Sequence, residues 1–522
     1  MSSTPVRTAL VGGLVADGSG DDPRAADVLL ADGRVEAIVP AGERPRAGYD
    51  ARIVDCAGRV VAPGFVDIHC HSDLSRFAYP GNASRVTQGV TTEVVGNCGM
   101  SPAPGNSDRA GLARIISTID VTPDFEWTWS DLDGWLRALD DAQAATNVAA
   151  QVGHGSARFT VAGGAARRLD DDELDALENE LHAALHAGCL GVSVGLMYAP
   201  GEAATARELE LVGRVVASHD AVLSAHLRNY GTRALGTAVD ELAAPAAKAG
   251  ARLQISHLRG VGDADGYADV VAQLDDLRAA GVDVAADAYP YVHGHTTLLQ
   301  LLPSALRAAG PDAAVDATKA DLPAVARQLA ATGYAPEQLI VMKASRTPEA
   351  VGPVAERFDG DPWLWLAGLI VANDGLVDVA VESGRWADVD LAYRTPWISV
   401  ASDGTALDEN HTASAAHPRS WGAFSAGYRR MRDLGASVGE AVRRMSTAPA
   451  ARVGLVSGIA PGLRADVVVF DDVRFDSAAT FDRPATPSSG IDHVFVNGVA
   501  VMESGRQTPH RPGVLLRKGS NE

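Results

Sequence analysis

Two histidines one residue apart, His69 and His71, close the stretch at 62–73, APGFVDIHCHSD. Pro63 and Gly64 interrupt the chain ahead of a short apolar run, Phe65, Val66 and Ile68. Side chains alternate across an extended strand, so His69 and His71 share one face and Cys70 takes the other. Two imidazoles on one face at a strand end can grip a metal ion, because neutral imidazole is a good zinc ligand. By itself the pattern fits a polar loop after a buried strand equally well.

The rest of the chain repeats the arrangement. Short apolar runs occupy 66–71, 92–98, 148–154, 191–197, 222–227, 253–258, 282–289 and 397–403. Nearly all end in a polar or ligating residue: His71, Cys98, His154, His226, His257, Asp287 with Tyr289, and Asp403. The intervening stretches, such as DDDELDALENELHAALHAG and ARELELVGRVVASHD, have helical apolar spacing with acidic residues early. Alternating strands and helices predict a parallel sheet, and eight such units predict a (β/α)8 TIM-type barrel. The alternative, an open doubly wound sheet, lacks a Gly-rich dinucleotide fingerprint after an early strand.

In a barrel the strand ends meet at one face, so residues hundreds of positions apart converge. His69, His71, His226 and His257 offer nitrogen, Cys98 soft sulfur and Asp403 oxygen, a donor set that suits a first-row metal, zinc above all. Six candidates exceed the four of one zinc and leave room for a second, weaker position. Cys98 sits in VVGNCGM, between Asn97 and Gly99, where a tight turn can aim it at the barrel mouth. Cys56, Cys70 and Cys189 read as small buried hydrophobes. Residues 191–195, GVSVG, match the G-x-S-x-G nucleophile elbow, but Ser193 lies inside an apolar run that continues to Met197, so strand interior is the better reading.

The two ends of the chain differ from the middle. VLLADGRVEAIV has an Asp-Gly turn between apolar runs, and ADVVVFD with GIDHVFVNGVAVMESG repeats that texture near the C-terminus. The reading is a small β-sandwich built from both termini, 1–61 and 451–522, around a barrel at 62–450, with an insertion after the seventh strand at about 303–361. The formal charge of −21 speaks against a nucleic-acid surface. No run of 18 apolar residues predicts a membrane span, and no apolar segment follows a basic start. Four cysteines in 522 residues are no disulfide framework, so a cytoplasmic location is expected.

GFVDIHCHSD, GVTTEVVGNCGMSPAP, GHGSAR, GLMYAPG, SAHLRNYG, ISHLRGVG, DAYPY, ASDGT and HPRSWGAF, with STAPAARVGL, GLRADVVVFD, IDHVFVNG and PGVLLR, span nearly the whole chain. Together they resemble the N-acyl-D-amino-acid deacylase (D-aminoacylase) family of the amidohydrolase superfamily. HxH alone marks the superfamily; the Cys of GNCG with HLR and HPR narrows it. The resemblance implies a zinc hydrolase that cleaves the amide of small N-acyl-D-amino acids. It implies one tight zinc on Cys98, His226 and His257, a second and weaker position at His69 and His71, and Asp403 as catalytic acid/base. Arg419 is implied to contact the substrate carboxylate, with Arg259 and Tyr289 lining the same pocket. Arg259 stands where the family often has Lys, and His295-Thr296 where it often has Ser-Thr. Residues 404–417 look a few residues longer than usual. Met197, Tyr198 and His295 are read as the pocket wall.

Elementary chemistry agrees with that reading. A metal polarises an amide carbonyl and brings the pKa of bound water toward ~7. A placed carboxylate can move one proton from water to the leaving amine, and planar Arg419 suits a bidentate carboxylate grip. The competing readings are a cyclic-amide hydrolase of the dihydroorotase or hydantoinase kind, a deaminase, and a barrel scaffold without catalysis. The first often bridges two metals with a carboxylated lysine, and no lysine lies on these strand ends.

Overall fold

Each of the eight apolar runs overlaps a strand, and the eight lie parallel in sequence order. They are Phe65–Asp67, Val90–Val95, Asn147–Ala150 continued by Val152–Gly153, Gly191–Gly195, Val222–His226, Arg252–Ile255, Val284–Ala288 and Ile398–Val400. The structure is a computed structural model describing residues 7–42, 51–105, 108–117, 127–262, 265–358, 360–408 and 417–518. Nearly every strand residue is buried, as both faces of a parallel sheet are covered. The helices between them start where the acidic residues sit: Asp170 and Glu173 form a reciprocal capping box at the head of Asp171–His186.

The predicted closed barrel needs one correction. No ladder joins Ile398–Val400 to Phe65–Asp67. Both strands are three residues long, and the seam is bridged just beyond them. Asp403 N donates to His69 O and His71 N to Gly404 O, each at 2.8 Å. The Asp67 carboxylate accepts from Ser402 N at 3.0 Å and from Ser402 Oγ.

Both chain ends join one nine-stranded sheet. Thr8–Val15 pairs with Arg24–Ala31 and runs parallel to Val60–Pro63, whose other edge takes Val467–Phe470. Ile491–Val496 and Val499–Glu503 extend it. The last strand, Leu515–Leu516, leaves that sheet and lies parallel to Val148–Ala149 of the central array. After Val284–Ala288 an antiparallel sheet of four strands begins: His293–Thr297, Val377–Glu382, Leu339–Ala344 and Gly352–Pro353. It packs on helices including Leu322–Ala330 and Pro362–Ala372 around its own apolar cluster. These elements extend to both sides of the 303–361 stretch.

Beneath the HxH segment lies a buried polar network. Glu93 accepts from Ser72 Oγ at 2.6 Å, Thr146 Oγ1 at 2.7 Å, Arg85 Nε at 3.1 Å and Asn82 Nδ2. Arg85 Nη1 also lies 3.5 Å from Asp67 Oδ2, and Arg76 Nη1 3.6 Å from Glu93. Burial works against the Glu93 charge, but Arg85 and Arg76 outweigh it and hold the carboxyl below its ordinary pKa. Removing one partner of such a network leaves uncompensated buried charge. Glu93→Ala is therefore expected to destabilise the protein by about 3–5 kcal/mol, read as a lower urea midpoint by circular dichroism. An unchanged midpoint would mean that the network adds nothing to stability.

Candidate metal centre and active site

The strand ends converge as the alternation requires. His69 and His71 face the mouth, whereas Cys70 turns away, its Sγ 3.3 Å from Val94 O. Cys98 Sγ lies 3.3 Å from His69 Nε2, 3.4 Å from His226 Nδ1 and 3.5 Å from His257 Nε2. A tetrahedron of zinc–sulfur and zinc–nitrogen bonds has edges of about 3.5 Å, so the spacing fits a shared ion. Two compact donor groups share His69: one with Cys98 and His257, the other with His71 and Asp403. His226 approaches the thiol but stands outside both groups. Asp403 Oδ1 lies 3.0 Å from His71 Nε2 and 3.6 Å from His69 Nε2.

The donors are also in suitable form. Burial pushes His69 and His226 down to about 3 and His257 well below its usual value, so all three imidazoles are neutral with a lone pair to give. Burial, with the Asp403 and Asp287 charges, drives the Cys98 thiol well up, so only a bound cation would favour the thiolate in this setting.

Three of these residues hold left-handed backbone: Cys98 at φ 55°, His257 at 35° and Asp403 at 49°. Such conformations persist for non-glycine residues where neighbours over-determine them. At Cys98 the brace is Ser193, whose Oγ accepts from Gly99 N at 3.0 Å and donates to Gly96 O. Ser193 is thus strand interior, as read. A Cβ on Gly195 would collide with Cys98 O, so glycine there lets the turn press against the strand. His257 N donates to Asp287 Oδ1 at 2.7 Å. Tyr230, absent from the sequence candidates though it sits in HLRNYG, packs its ring 5.1 Å from His226 and 5.2 Å from His257. Its hydroxyl accepts from Leu227 N and donates to Ser256 O.

A cavity of about 310 Å³ opens over this centre, and every candidate residue except His69 lines it. Arg419 is buried, with Nη1 2.6 Å from Asp403 Oδ2 and its guanidinium 5.0 Å from the Tyr289 ring centroid. Burial alone would raise the Asp403 pKa; Arg419, His257 and the His71 hydrogen bond outweigh it, and the group lies well below the ordinary carboxylate value. Arg259 Nη1 donates to Tyr289 OH at 2.8 Å and Nη2 to Ser383 Oγ at 2.6 Å. A side chain on Gly294 would collide with that guanidinium, so Gly294 makes room for it. Neither Gly294 nor Ser383 carries a sequence signal of its own. Tyr198 and His295 line the wall, and burial lowers the His295 pKa to about 3. His154, grouped with the polar strand ends, is placed elsewhere: it is buried against Glu208 at 2.8 Å, away from the cavity.

Comparison with known proteins bears on this geometry. The model of the amidohydrolase family matches residues 52–502. The chain is 34% identical to an N-acyl-D-glutamate deacylase and 31% identical to a D-aminoacylase, both of Alcaligenes xylosoxydans xylosoxydans. The alignments cover 98% and 99% of this chain and 96% and 98% of those proteins. The crystal structure of an N-acyl-D-glutamate deacylase from Bordetella bronchiseptica, in complex with zinc and a phosphonate mimic of the tetrahedral intermediate, superposes with a TM-score of 0.82. It is 30% identical and covers 98% of this chain and 100% of its own. A D-aminoacylase structure follows at 0.79 and 28%, covering 98% and 99%. With its HxH strand, its buried cysteine turn and Asp403 brought to one mouth, the chain belongs to the amidohydrolase family, in its N-acyl-D-amino-acid deacylase branch.

Proposed function

We propose that the cavity hydrolyses the amide of N-acyl-D-amino acids, releasing a carboxylate and a free D-amino acid. The observation that carries this is the Cys98 thiol within 3.5 Å of three neutral imidazole nitrogens, beside Asp403 and under an arginine-lined cavity. Cys98, His226 and His257 are the residues that would hold one tight zinc, and His69 and His71 those for a second, weaker one. A metal ion held there supplies a Lewis acid for the carbonyl and brings the pKa of water toward ~7.

The chain's own groups do the rest. Asp403 starts as a carboxylate, takes a proton from the attacking water and returns it to the departing nitrogen. Arg419, Arg259 and Tyr289 take the substrate carboxylate in charge-assisted bonds. With the carbonyl and the carboxylate both held, the α-carbon has one orientation left, and the wall of Met197, Tyr198 and His295 selects the hand. Among the described residues no lysine lines the cavity, which speaks against the cyclic-amide reading. In this reading residues 62–450 form a (β/α)8-type array whose first and eighth strands meet without a ladder, with the insertion at about 303–361, and 1–61 with 451–522 fold as a sandwich. A cytoplasmic location fits four cysteines that are all buried and unpaired. Among the described residues no helix is long and apolar enough to cross a membrane.

The decisive assay is amino-acid release from N-acetyl-D- and N-acetyl-L-methionine by the zinc-loaded protein. Release from the D-substrate alone is expected; a preference for L would overturn the stereochemical reading, and no release from either would overturn the function. Chelation should abolish activity and zinc should restore it. In elemental analysis the wild type should retain roughly one zinc per chain. Cys98→Ala should lose it, whereas Cys70→Ala, on the opposite face, should keep it; equal zinc in both variants would remove Cys98 from the ligand set. Asp403→Asn should keep fold and zinc while kcat drops by ~10²–10⁴-fold or more. Wild-type kcat in that variant would require another base.

A further inference from the structure

Resting on the deacylase reading, we propose that the site accepts neutral D-side chains and rejects a second carboxylate, so that its substrates are N-acyl derivatives of neutral D-amino acids. This sets the chain apart from the D-glutamate in the names of the deacylases it resembles.

The cations argue for it. Among the described residues, Arg259 and Arg419 are the only arginines lining the cavity, and no lysine joins them. Both converge on one tyrosine: Arg259 Nη1 bonds the Tyr289 hydroxyl, and the Arg419 guanidinium lies 5.0 Å from its ring centroid. They therefore define one anion position, that of the α-carboxylate. Neither can swing to a second. Arg259 is tied by Tyr289, Ser383 Oγ and Val292 O, and Arg419 is paired with Asp403.

The next cations lie outside the cavity lining, and Arg307 is engaged there. Arg307 donates to Met197 O at 2.7 Å and Gln300 Oε1 at 2.6 Å and lies 3.3 Å from Glu202. Lys343 stands opposite Asp378 in the inserted sheet, outside the cavity lining. The sequence stretches between 106 and 416 that lie outside the described residues contain no lysine or arginine. Among the described residues the remaining wall carries no cation: Met197, Val261, Leu301 and Val381 are apolar, Asn229, Thr296 and Gln300 polar and neutral, and His295 is held uncharged by burial. A carboxylate pushed among these groups would lose its water and meet neutral donors such as Thr296 and Gln300 but no cation to match its charge; among the described residues of the lining, the charged group left to face it is Asp403.

The test uses two isosteres that differ in charge, N-acetyl-D-glutamine and N-acetyl-D-glutamate, on the zinc-loaded full-length protein. A kcat/KM preference for the glutamine derivative of about a hundredfold or more is expected. Equal or better turnover of the glutamate derivative overturns the inference while leaving the deacylase reading intact. No turnover of either, nor of N-acetyl-D-methionine, ends both. Leu301→Lys places a cation on the wall and should narrow the preference at least about tenfold, with Leu301→Gln as the neutral control; an equal change in both variants would count against a charge-based filter. Calorimetric binding of the products D-glutamine and D-glutamate to the zinc-loaded wild type gives a readout free of turnover: tighter binding of D-glutamine is the supporting result, and equal or tighter binding of D-glutamate overturns it.

Discussion

Arg85 is the group on which the site's geometry rests. Its guanidinium is wholly buried between Asp67 and Glu93, which belong to the first and second strands of the array. Asp67 in turn holds Ser402, next to Asp403, and Glu93 holds Ser72, next to His71. One cation thus couples three chain segments at the seam where the strand ladder stays open. A guanidinium is suited to this task, because its planar fork donates in several fixed directions and keeps its charge when buried. The anions need it equally, since two carboxylates could not stay ionised in that position alone.

With the frame set from below, the mouth can tolerate strain. Cys98, His257 and Asp403 occupy backbone conformations that most residues avoid; Ser193 braces the turn at Cys98, Asp287 holds His257 N, and His69 O holds Asp403 N. The result is a donor set whose positions are fixed before any ligand arrives. Preorganisation of this kind reduces the reorganisation that binding and reaction would otherwise require.

Much of this was legible in the sequence because it follows from short-range rules. Alternation alone separates His69 and His71 from Cys70, and the eight apolar runs mark eight strands. The turn around Asn97, Cys98 and Gly99 announces itself through its glycines. What was hidden depends on long-range partners. Glu93 sits in a run of buried residues and reads as an anomaly until Arg85 and Arg76 are placed against it. His154 ends its strand as the candidate ligands do, yet Glu208, 54 positions on, captures it. The inserted sheet begins with HGHTT, which has no apolar alternation, and its partner strand Val377–Glu382 follows some eighty residues later, so its extent could not be read from periodicity. Arg259 was visible as a residue type, but the space for it depends on a missing side chain at Gly294.

The pairing of distant chain segments also has a consequence for how the protein is made. Val60–Pro63 finds one neighbour, Thr8–Val15, early in synthesis, but its other edge waits for Val467–Phe470, about four hundred residues later. At ribosomal speeds of ~5–20 residues per second that delay is roughly 20–80 s. During it an apolar strand edge stands open to wrong partners. The central array is completed later still, since Val148–Ala149 receives Leu515–Leu516 last. Those two sheets are therefore completed by C-terminal strands, and the edges they cover are exposed until these strands emerge.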